Sequence, residues 1–341
     1  MKSTIIDVAK KAKVSIATVS RVINGNYPVK EATREKVLAA IRSLKYVPNM
    51  QAREFNRQKS TIVGVVVPSI YNMFFAEVMN GVEEHFTRES YSLMFCCSKN
   101  DSIVEMRCIN DFMARNVSGI IVISPHTENL QNTFYERIAR QIPIVFINSY
   151  KNHPNISYVS NDEDAGTRLA IHYLLEHKHR DILFIRGKNS DSYDIKEKAY
   201  VDIMKRKHYF HEKYMINIGD GNSNETVDNT MQKVLEILPS SEATAVFACN
   251  DLMAAGVVNA CKKLNIAIPE ELSIVGYDNI ALSRFIEPKL TTVEQNMFSL
   301  GSQAAQLLLE KIDSNNQISK RVMLENSLVE RESVGICLKN S

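Results

Sequence analysis

Arg21 follows Ala17 by four residues, Ser20 follows Ile16 by four, and Asn24 follows Ser20 by four, with Ser15 and Thr18 close by. Side chains three and four apart share one face of a helix. Ile16, Ala17, Ser20, Arg21 and Asn24 would therefore present small apolar groups, a hydroxyl, an amide and one guanidinium together. That set suits the edges of DNA bases: Arg can donate two bonds to guanine O6 and N7, Ser and Thr can hold phosphates or base edges, and small apolar groups meet thymine methyls. Arg21 is the best single candidate for base readout, and a plain phosphate contact is its alternative, because Arg does both.

Such a face needs short, firmly held helices. Thr4 and Asp7 form a variant of the capping box, so a helix should begin at about Ile5, with Val8, Ala9 and Ala12 as its apolar stripe. Lys13-Val14-Ser15 breaks it, and Ser15 suits the cap of a second helix running through Asn24. Val19, Val22 and Ile23 point inward. A third helix is expected over about Lys30 to Leu44, where Val37, Ala40, Ile41 and Leu44 close a small core. The expectation is an α helix-turn-helix headpiece.

Charge supports that division. Residues 1–60 hold 13 Lys and Arg against 4 Asp and Glu, while the rest is mildly acidic, so the net +2 of the 341-residue chain hides a strongly basic end. Basic residues interleaved with apolar ones at helical spacing do not read as a solvated tail. With 45% apolar residues, the chain is long enough for at least two units. It shows neither a signal-peptide pattern nor an apolar run long enough to span a membrane, so a cytoplasmic protein without a membrane partner is expected. Cys96, Cys97, Cys108, Cys249, Cys261 and Cys337 are scattered without a C-x-x-C pair and are read as reduced core residues, neither disulfides nor zinc ligands. His177, His179, His208 and His211 lie in Lys-rich surroundings and are read as solvated surface. No nucleophile motif, paired metal ligands, G-x-G-x-x-G or P-loop pattern occurs, so no catalysis, metal or cofactor is expected.

From Thr61 the pattern changes. Thr61 to Pro68 is a continuous apolar run ended by a breaker, the mark of a strand buried on both faces. Helices at about Phe74–Arg88 and Ser102–Arg115 alternate with strands at Ser92–Cys97, Gly119–Ile123 and Ile142–Asn148. The alternation restarts with a helix from Asp164 to His177, a strand at Asp181–Ile185, a helix from about Lys196, a strand at Ala245–Cys249, a helix at Asp251–Leu264 and a strand at Ser273–Tyr277. This predicts an α/β sensor of two doubly wound parallel-sheet subdomains with a cleft between them. Ligands in open α/β sheets bind at the carboxyl ends of strands, which places Ser69, Asn148, Asn250 and Asp278 where a polar ligand would be held. Asn250 and Asp278 could equally cap helices or fix turns. Phe74 could pack against a ligand ring or against the hinge.

The runs Ile6-Asp7-Val8-Ala9, Val14 through Asn24 and Thr33-Arg34-Glu35-Lys36-Val37 resemble the headpiece of the LacI/GalR family of transcriptional regulators almost position for position. Lys30 departs from the family's usual cap. Asn49 through Asn56 resembles the family's hinge helix, which pairs with its dimer mate and wedges a side chain into the minor groove; Phe55 takes the wedge position and Arg53 lies beside it. Pro68-Ser69 with Phe74-Phe75-Ala76-Glu77, Phe247 through Asp251, Gly276 through Asn279, Leu290 through Val293 and Arg331-Glu332-Ser333 resemble the family's periplasmic-binding-protein-like sensor.

The resemblance implies a headpiece at 1–48, a hinge at 49–60 and a sensor at 61–341, whose subdomains comprise about 61–160 plus 293–324 and 162–290 plus 325–341, with crossovers near Asn161, Val293 and Leu324. It implies a repressor that binds a pseudo-palindromic operator as a homodimer, controlled by a small-molecule effector of carbohydrate or related kind at Ser69, Phe74, Asn148, Asn250, Asp278 and Lys196. Lys196 stands where many members carry Arg, and Gly221 where some carry an aromatic wall. The Lys also resembles the catabolite-control branch, which implies the alternative of a phosphoprotein corepressor. At the positions matching that branch's receptor, however, stand Ser299, Gln306 and Glu310. A sugar-binding protein without a DNA role is the other alternative, which the basic headpiece disfavours.

Overall fold

The structure, a computed structural model, describes residues 3–25, 27–47, 60–151, 153, 155–314 and 318–339. The chain divides into two compact units, 1–60 and 61–341.

In the first unit, Thr4 and Asp7 cap α1 (Ile5–Ala12) reciprocally, and Lys13 ends it in the left-handed conformation. Ser15 caps α2 (Ile16–Asn24), which Gly25 terminates at φ +66°, a backbone angle that suits glycine. Lys30 precedes α3 (Glu31–Leu44) and supplies no side-chain cap. Val8, Ala9, Ala12, Val19, Val22, Val37 and Ala40 are buried together, with Ile41 and Leu44 packed against them. The fully buried centre of the three-helix core is therefore Val and Ala, and larger side chains such as Ile5, Ile23 and Leu38 close its margin.

In the second unit, the apolar runs become two six-stranded sheets, the first parallel throughout and the second parallel except for one antiparallel edge strand, Ser327–Val329. The first comprises β1 (Ile62–Val67), β2 (Ser92–Cys97), β3 (Gly119–Ile123), β4 (Ile144–Ile147), β5 (Ser157–Asn161) and β11 (Arg321–Leu324), ordered β11-β5-β4-β3-β1-β2. Alternate side chains serve its two faces. Val63, Val65, Ile121, Val145 and Val159 pack under α4 (Met73–Arg88) and α13 (Met297–Ser314), while Val66, Ile120, Val122, Ile144 and Phe146 pack under α5 (Ser102–Ala114), α6 (Thr127–Gln131) and α7 (Phe134–Ala139). Burial on both faces explains why these strands read as unbroken apolar runs. Helices α4 and α13 touch backbone to backbone: a Cβ on Gly301 would lie 2.0 Å from the Val78 carbonyl oxygen and one on Gly81 2.1 Å from that of Phe298.

The second sheet comprises β6 (Ile182–Arg186), β7 (Met215–Asn217), β8 (Ala245–Ala248), β9 (Ser273–Asp278), β10 (Thr291–Glu294) and β12 (Ser327–Val329), ordered β12-β10-β9-β8-β6-β7. Around it lie α8 (Glu163–Glu176), α9 (Asp191–Arg206), α10 (Thr226–Ile237), α11 (Asp251–Leu264) and α12 (Leu282–Phe285). The chain passes between the sheets after β5, after β10 and after β11. The crossings are tied together: Asn161 Nδ2 donates to Gln295 Oε1 (2.7 Å), Asn326 Nδ2 to the Asp162 carbonyl (3.0 Å), and Asn296 Nδ2 to the Glu325 carbonyl (3.1 Å).

Several expectations need correction. β10 stays in the second sheet through Glu294, so the crossing expected near Val293 falls at Gln295. Helix α9 starts at Asp191, a turn before Lys196. Cys96 and Cys108 are not reduced but form a disulfide, because β2 and α5 pack together and bring their Cα atoms to 5.9 Å. His179 is not surface: it is buried between Thr244 Oγ1 and the Gly335 carbonyl, 3.0 Å from each. Among the described residues no helix is long and apolar enough to cross a membrane.

Candidate DNA interface and effector cleft

The amino end of α2 is shaped by two of the residues expected at DNA. Ser15 Oγ accepts from the Thr18 amide (3.1 Å) and lies 2.9 Å from Thr18 Oγ1. Ile16 and Ala17 in the first turn are exposed, Ile16 by 48%. Arg21, one turn after Ala17, is also exposed, and Ser20 is half-buried on the same side. No acid occupies the first turn of α2, so no carboxylate offsets the partial positive charge at its amino end. The Arg21 guanidinium lies over the Tyr27 ring, 5.5 Å from its centroid. Sequence reading missed Tyr27, whose signal is a 66% exposed aromatic just past the helix. Asn24 ends α2, but its side chain, like the whole of Arg53 and Phe55, lies outside the described residues.

In the second unit, five of the six expected effector residues line one cavity: Phe74, Asn148, Lys196, Asn250 and Asp278. In this arrangement the free space inside it is about 60 Å³, room for a few water molecules, so a ligand would enter with the walls drawn apart. Ser69 is buried, but its hydroxyl donates to the Asn222 carbonyl (2.6 Å) on the opposite subdomain. Asn72 Nδ2 donates to Asn222 Oδ1 (2.9 Å), and Thr127 Oγ1 to Asp191 Oδ1 (3.1 Å). These bonds hold the cleft in a closed arrangement. Asn250 meets the capping expectation, its Oδ1 accepting from the Met253 amide (2.9 Å) at the start of α11, while its Nδ2 donates to the Gly221 carbonyl (2.8 Å) in the cavity wall. Gly221 leaves room for Tyr193, whose hydroxyl would lie 2.4 Å from a Cβ there.

Lys196 is buried, with its Nζ 3.3 Å from Glu163 Oε2, 3.1 Å from the Cys249 carbonyl it donates to, and 3.5 Å from the centroid of the Tyr277 ring. The contact with Glu163 lacks hydrogen-bond alignment and is held by charge. Glu163 Oε1 accepts from Tyr150 (2.9 Å) and Ser192 (2.8 Å). Asp278 sits at φ +110°, a conformation L residues rarely adopt, and accepts from Gln295 Nε2 at the crossover. Burial pushes its carboxyl well above the usual carboxylate range; Lys196 pulls the other way, and Asp251 and Glu163 add to the rise. Burial likewise pushes Asp251 up to about 7, although Thr292 Oγ1 (2.6 Å) and the Ile280 amide (2.9 Å) donate to it. The Cys249 thiol, pushed up to about 12 by burial, is not a nucleophile here. Strained backbone and perturbed carboxyls gather where ligands are held.

Glu163, Asp191, Asn72, Asn222 and Gln295 also line the cavity and escaped the sequence reading. Their signal was present: the Asp162-Glu163-Asp164 acids and Ser190-Asp191-Ser192 both stand where a strand gives way to a helix.

A headpiece that offers an Arg-bearing helix, joined in sequence to a two-sheet unit with a buried polar cleft, defines a ligand-responsive DNA-binding regulator. A family profile for bacterial regulatory proteins of the lacI family matches residues 4–49, and one for periplasmic binding protein-like domains matches 171–334. The chain is 33% identical over 338 residues to catabolite control protein A of Priestia megaterium, covering 98% of this chain and 99% of that one. It is also 33% identical over 332 residues to the ribose operon repressor of Halalkalibacterium halodurans, covering 97% of each. Among solved structures, the Lac repressor dimer bound to operator and the anti-inducer ONPF superposes with a TM-score of 0.86 at 25% identity, over 98% of this chain and all of that one. A CelR–cellobiose complex superposes at 0.71 and 27% identity, over 97% and 100%. The chain belongs to the LacI family and is a DNA-binding transcriptional regulator.

Proposed function

We propose that the cleft receives a small polar effector, a carbohydrate or related metabolite, whose binding changes the affinity of the headpiece for operator DNA. The observation that carries this reading is Asn148: it lines the cavity in the left-handed conformation, and its buried Oδ1 has no hydrogen-bond partner. A buried acceptor without a donor costs about 1–3 kcal/mol, which a ligand hydroxyl or amine would recover. An effector acts only through different affinities for two arrangements of the protein, and the bonds made by Ser69, Asn72 and Thr127 across the cleft are of the kind that differ between them.

On the DNA side, Ile16, Ala17, Ser20, Arg21 and Asn24 read bases, Ser15 and Thr18 position the helix, and Arg53 with Phe55 act in the hinge. The chain acts in the cytoplasm as a homodimer on a two-fold operator, without catalysis, with the headpiece, hinge and sensor divided at about residues 48 and 60. The Lac repressor's dimeric state supports the pairing, as do the exposed apolar side chains Ile70, Tyr71 and Met73. A phosphoprotein corepressor is less favoured, because Glu310 and Gln306 are bonded to each other and Glu310 neutralises Lys320.

Selection of an operator from random duplexes, followed by titration with the parent chain and Arg21→Ala, tests the DNA half. The variant should lose about 1–3 kcal/mol of discrimination at one base pair in each half-site. Unchanged discrimination would remove Arg21 from base readout. For the cleft, a metabolite that stabilises the protein should shift operator affinity in the parent and not in Asn250→Ala. A shift that persists in the variant places the effector elsewhere.

A further inference from the structure

We infer that the ligand of this cleft carries a protonated amine, and that the pocket is built against phosphorylated or carboxylated compounds. The inference rests on the cleft being the effector site. Three carboxyl groups line the cavity, from Glu163, Asp191 and Asp278, and the cation among the lining residues is Lys196. Lys196 has nothing left for an anionic ligand, since its ammonium faces Glu163, the Cys249 carbonyl and the Tyr277 ring. Lys151 approaches Asp191 only to 3.8 Å and is 40% exposed, so its attraction is screened.

The unfilled valences have one sign. Among the lining residues described, the buried side-chain atoms without a hydrogen-bond partner are Asn148 Oδ1, Asp191 Oδ2 and Glu163 Oε2, all acceptors; Glu163 Oε2 is engaged by the Lys196 ammonium 3.3 Å away, which leaves Asn148 Oδ1 and Asp191 Oδ2 open to a ligand. Helix amino ends, which otherwise attract anions, are closed here. Asn72, Asp162 and Asn250 cap α4, α8 and α11, and Glu163 and Asp191 occupy the first turns of α8 and α9. An ammonium donates three hydrogen bonds and accepts none, which matches open acceptors and no open donor among the described lining residues; Phe74 lines the same cavity.

A cation entering the cleft would also draw Asp278 into its ionised form. The groups facing that carboxyl are Gln295 at the crossover, Lys196 on α9, Asp251 on α11 and Glu163 on α8. Amine binding therefore releases a proton, and affinity strengthens as pH rises through the range in which Asp278 ionises; a neutral ligand lacks this dependence.

The test is calorimetric titration of the full chain with glucosamine, galactosamine, mannosamine, ethanolamine and putrescine. Each is set beside its N-acetyl form and its hydroxyl analogue, and the sugars beside their 6-phosphates. The binders should be amines, tighter than their neutral counterparts by about tenfold or more, the scale of one charge-assisted hydrogen bond. Their affinity should rise with pH, and Asp191→Asn should shrink the preference to a few-fold. A hydroxyl analogue or phosphate that binds as tightly as its amine, or a panel in which no amine binds, overturns the inference. If a neutral or phosphorylated compound binds and Asn250→Ala abolishes it, the cleft remains the effector site and only the amine is lost. An amine bound equally by the parent, Asn250→Ala and Asp191→Asn removes the cleft reading itself.

Discussion

The headpiece and the cleft hold their functional side chains in opposite ways. Ile16, Ala17 and Arg21 are exposed and depend on one short helix fixed by Ser15 and by a core of Val and Ala. Lys196, Glu163, Asn250 and Asp278 are buried, and each is gripped by residues from distant parts of the chain. A DNA reader can be exposed because its partner arrives from outside and brings most of the contacts. A small-molecule site must be pre-formed, because a small ligand brings too few contacts to organise its own pocket. The two regions should therefore respond to mutation on different scales.

The largest effect is expected at Lys196→Met. Lys196 and Glu163 are exposed by 2% and 1%, so removing the ammonium leaves a buried carboxylate without its cation. A loss of about 3–5 kcal/mol is expected, and Glu163→Gln in the same chain should restore much of it. Calorimetry should show the sensor transition falling while headpiece helicity survives. A headpiece that melts with the sensor would show the two regions to be one cooperative unit.

Asp251→Asn sharpens the contrast through pH. The buried acid titrates near 7 when folded, against 3.8 ordinarily, so the folded state holds the proton more tightly between those values. Stability is then greatest below the ordinary carboxylate range, falls as pH rises towards 7, and levels off above it. The variant should be more stable than the parent by roughly 1–3 kcal/mol above neutrality and no better in acid, as measured by urea unfolding. The gain is limited because one amide oxygen cannot accept from both Thr292 and Ile280 as the carboxylate does. A variant equally destabilised at both ends of the range would show that those two bonds, and not desolvation, dominate the site.

The same contrast decides what the sequence reveals. The headpiece was legible because its cap, turn and reading face lie within a few residues of one another, so helical spacing alone brings Ala17 to Arg21. The two-sheet architecture was legible because strands buried on both faces leave continuous apolar runs. The cleft was only half legible. Strand-end positions pointed to Asn148, Asn250 and Asp278, but the partner of Lys196 is Glu163, 33 residues earlier on another helix, and nothing local predicts that meeting. Strand β5 is hidden because Ser157-Tyr158-Val159-Ser160-Asn161 neither alternates nor forms an apolar run, although all five residues are buried beside a crossover. Cys96 and Cys108 looked unrelated because a strand-to-helix turn hides their proximity in a separation of 12.

Thr4→Ala is the smallest of these changes and the most diagnostic of the headpiece. Thr4 Oγ1 accepts from the Asp7 amide (3.4 Å), and the Thr4 hydroxyl (2.7 Å) and amide (2.8 Å) both donate to Asp7 Oδ2, which holds the Asp7 carboxyl below its ordinary value. Alanine removes the hydroxyl half of this box, at a cost of about 1 kcal/mol. In the sensor unit, where two six-stranded sheets are buried under helices, a loss of that size would be minor. In a three-helix unit whose buried core is Val and Ala it is a large share of the total. Circular dichroism of the headpiece should therefore show a lower melting point, with operator affinity falling in proportion to the folded fraction and base preference unchanged. A change in base preference would mean that α1 also orients α2, so that the reading face depends on the whole headpiece and not on one capped helix.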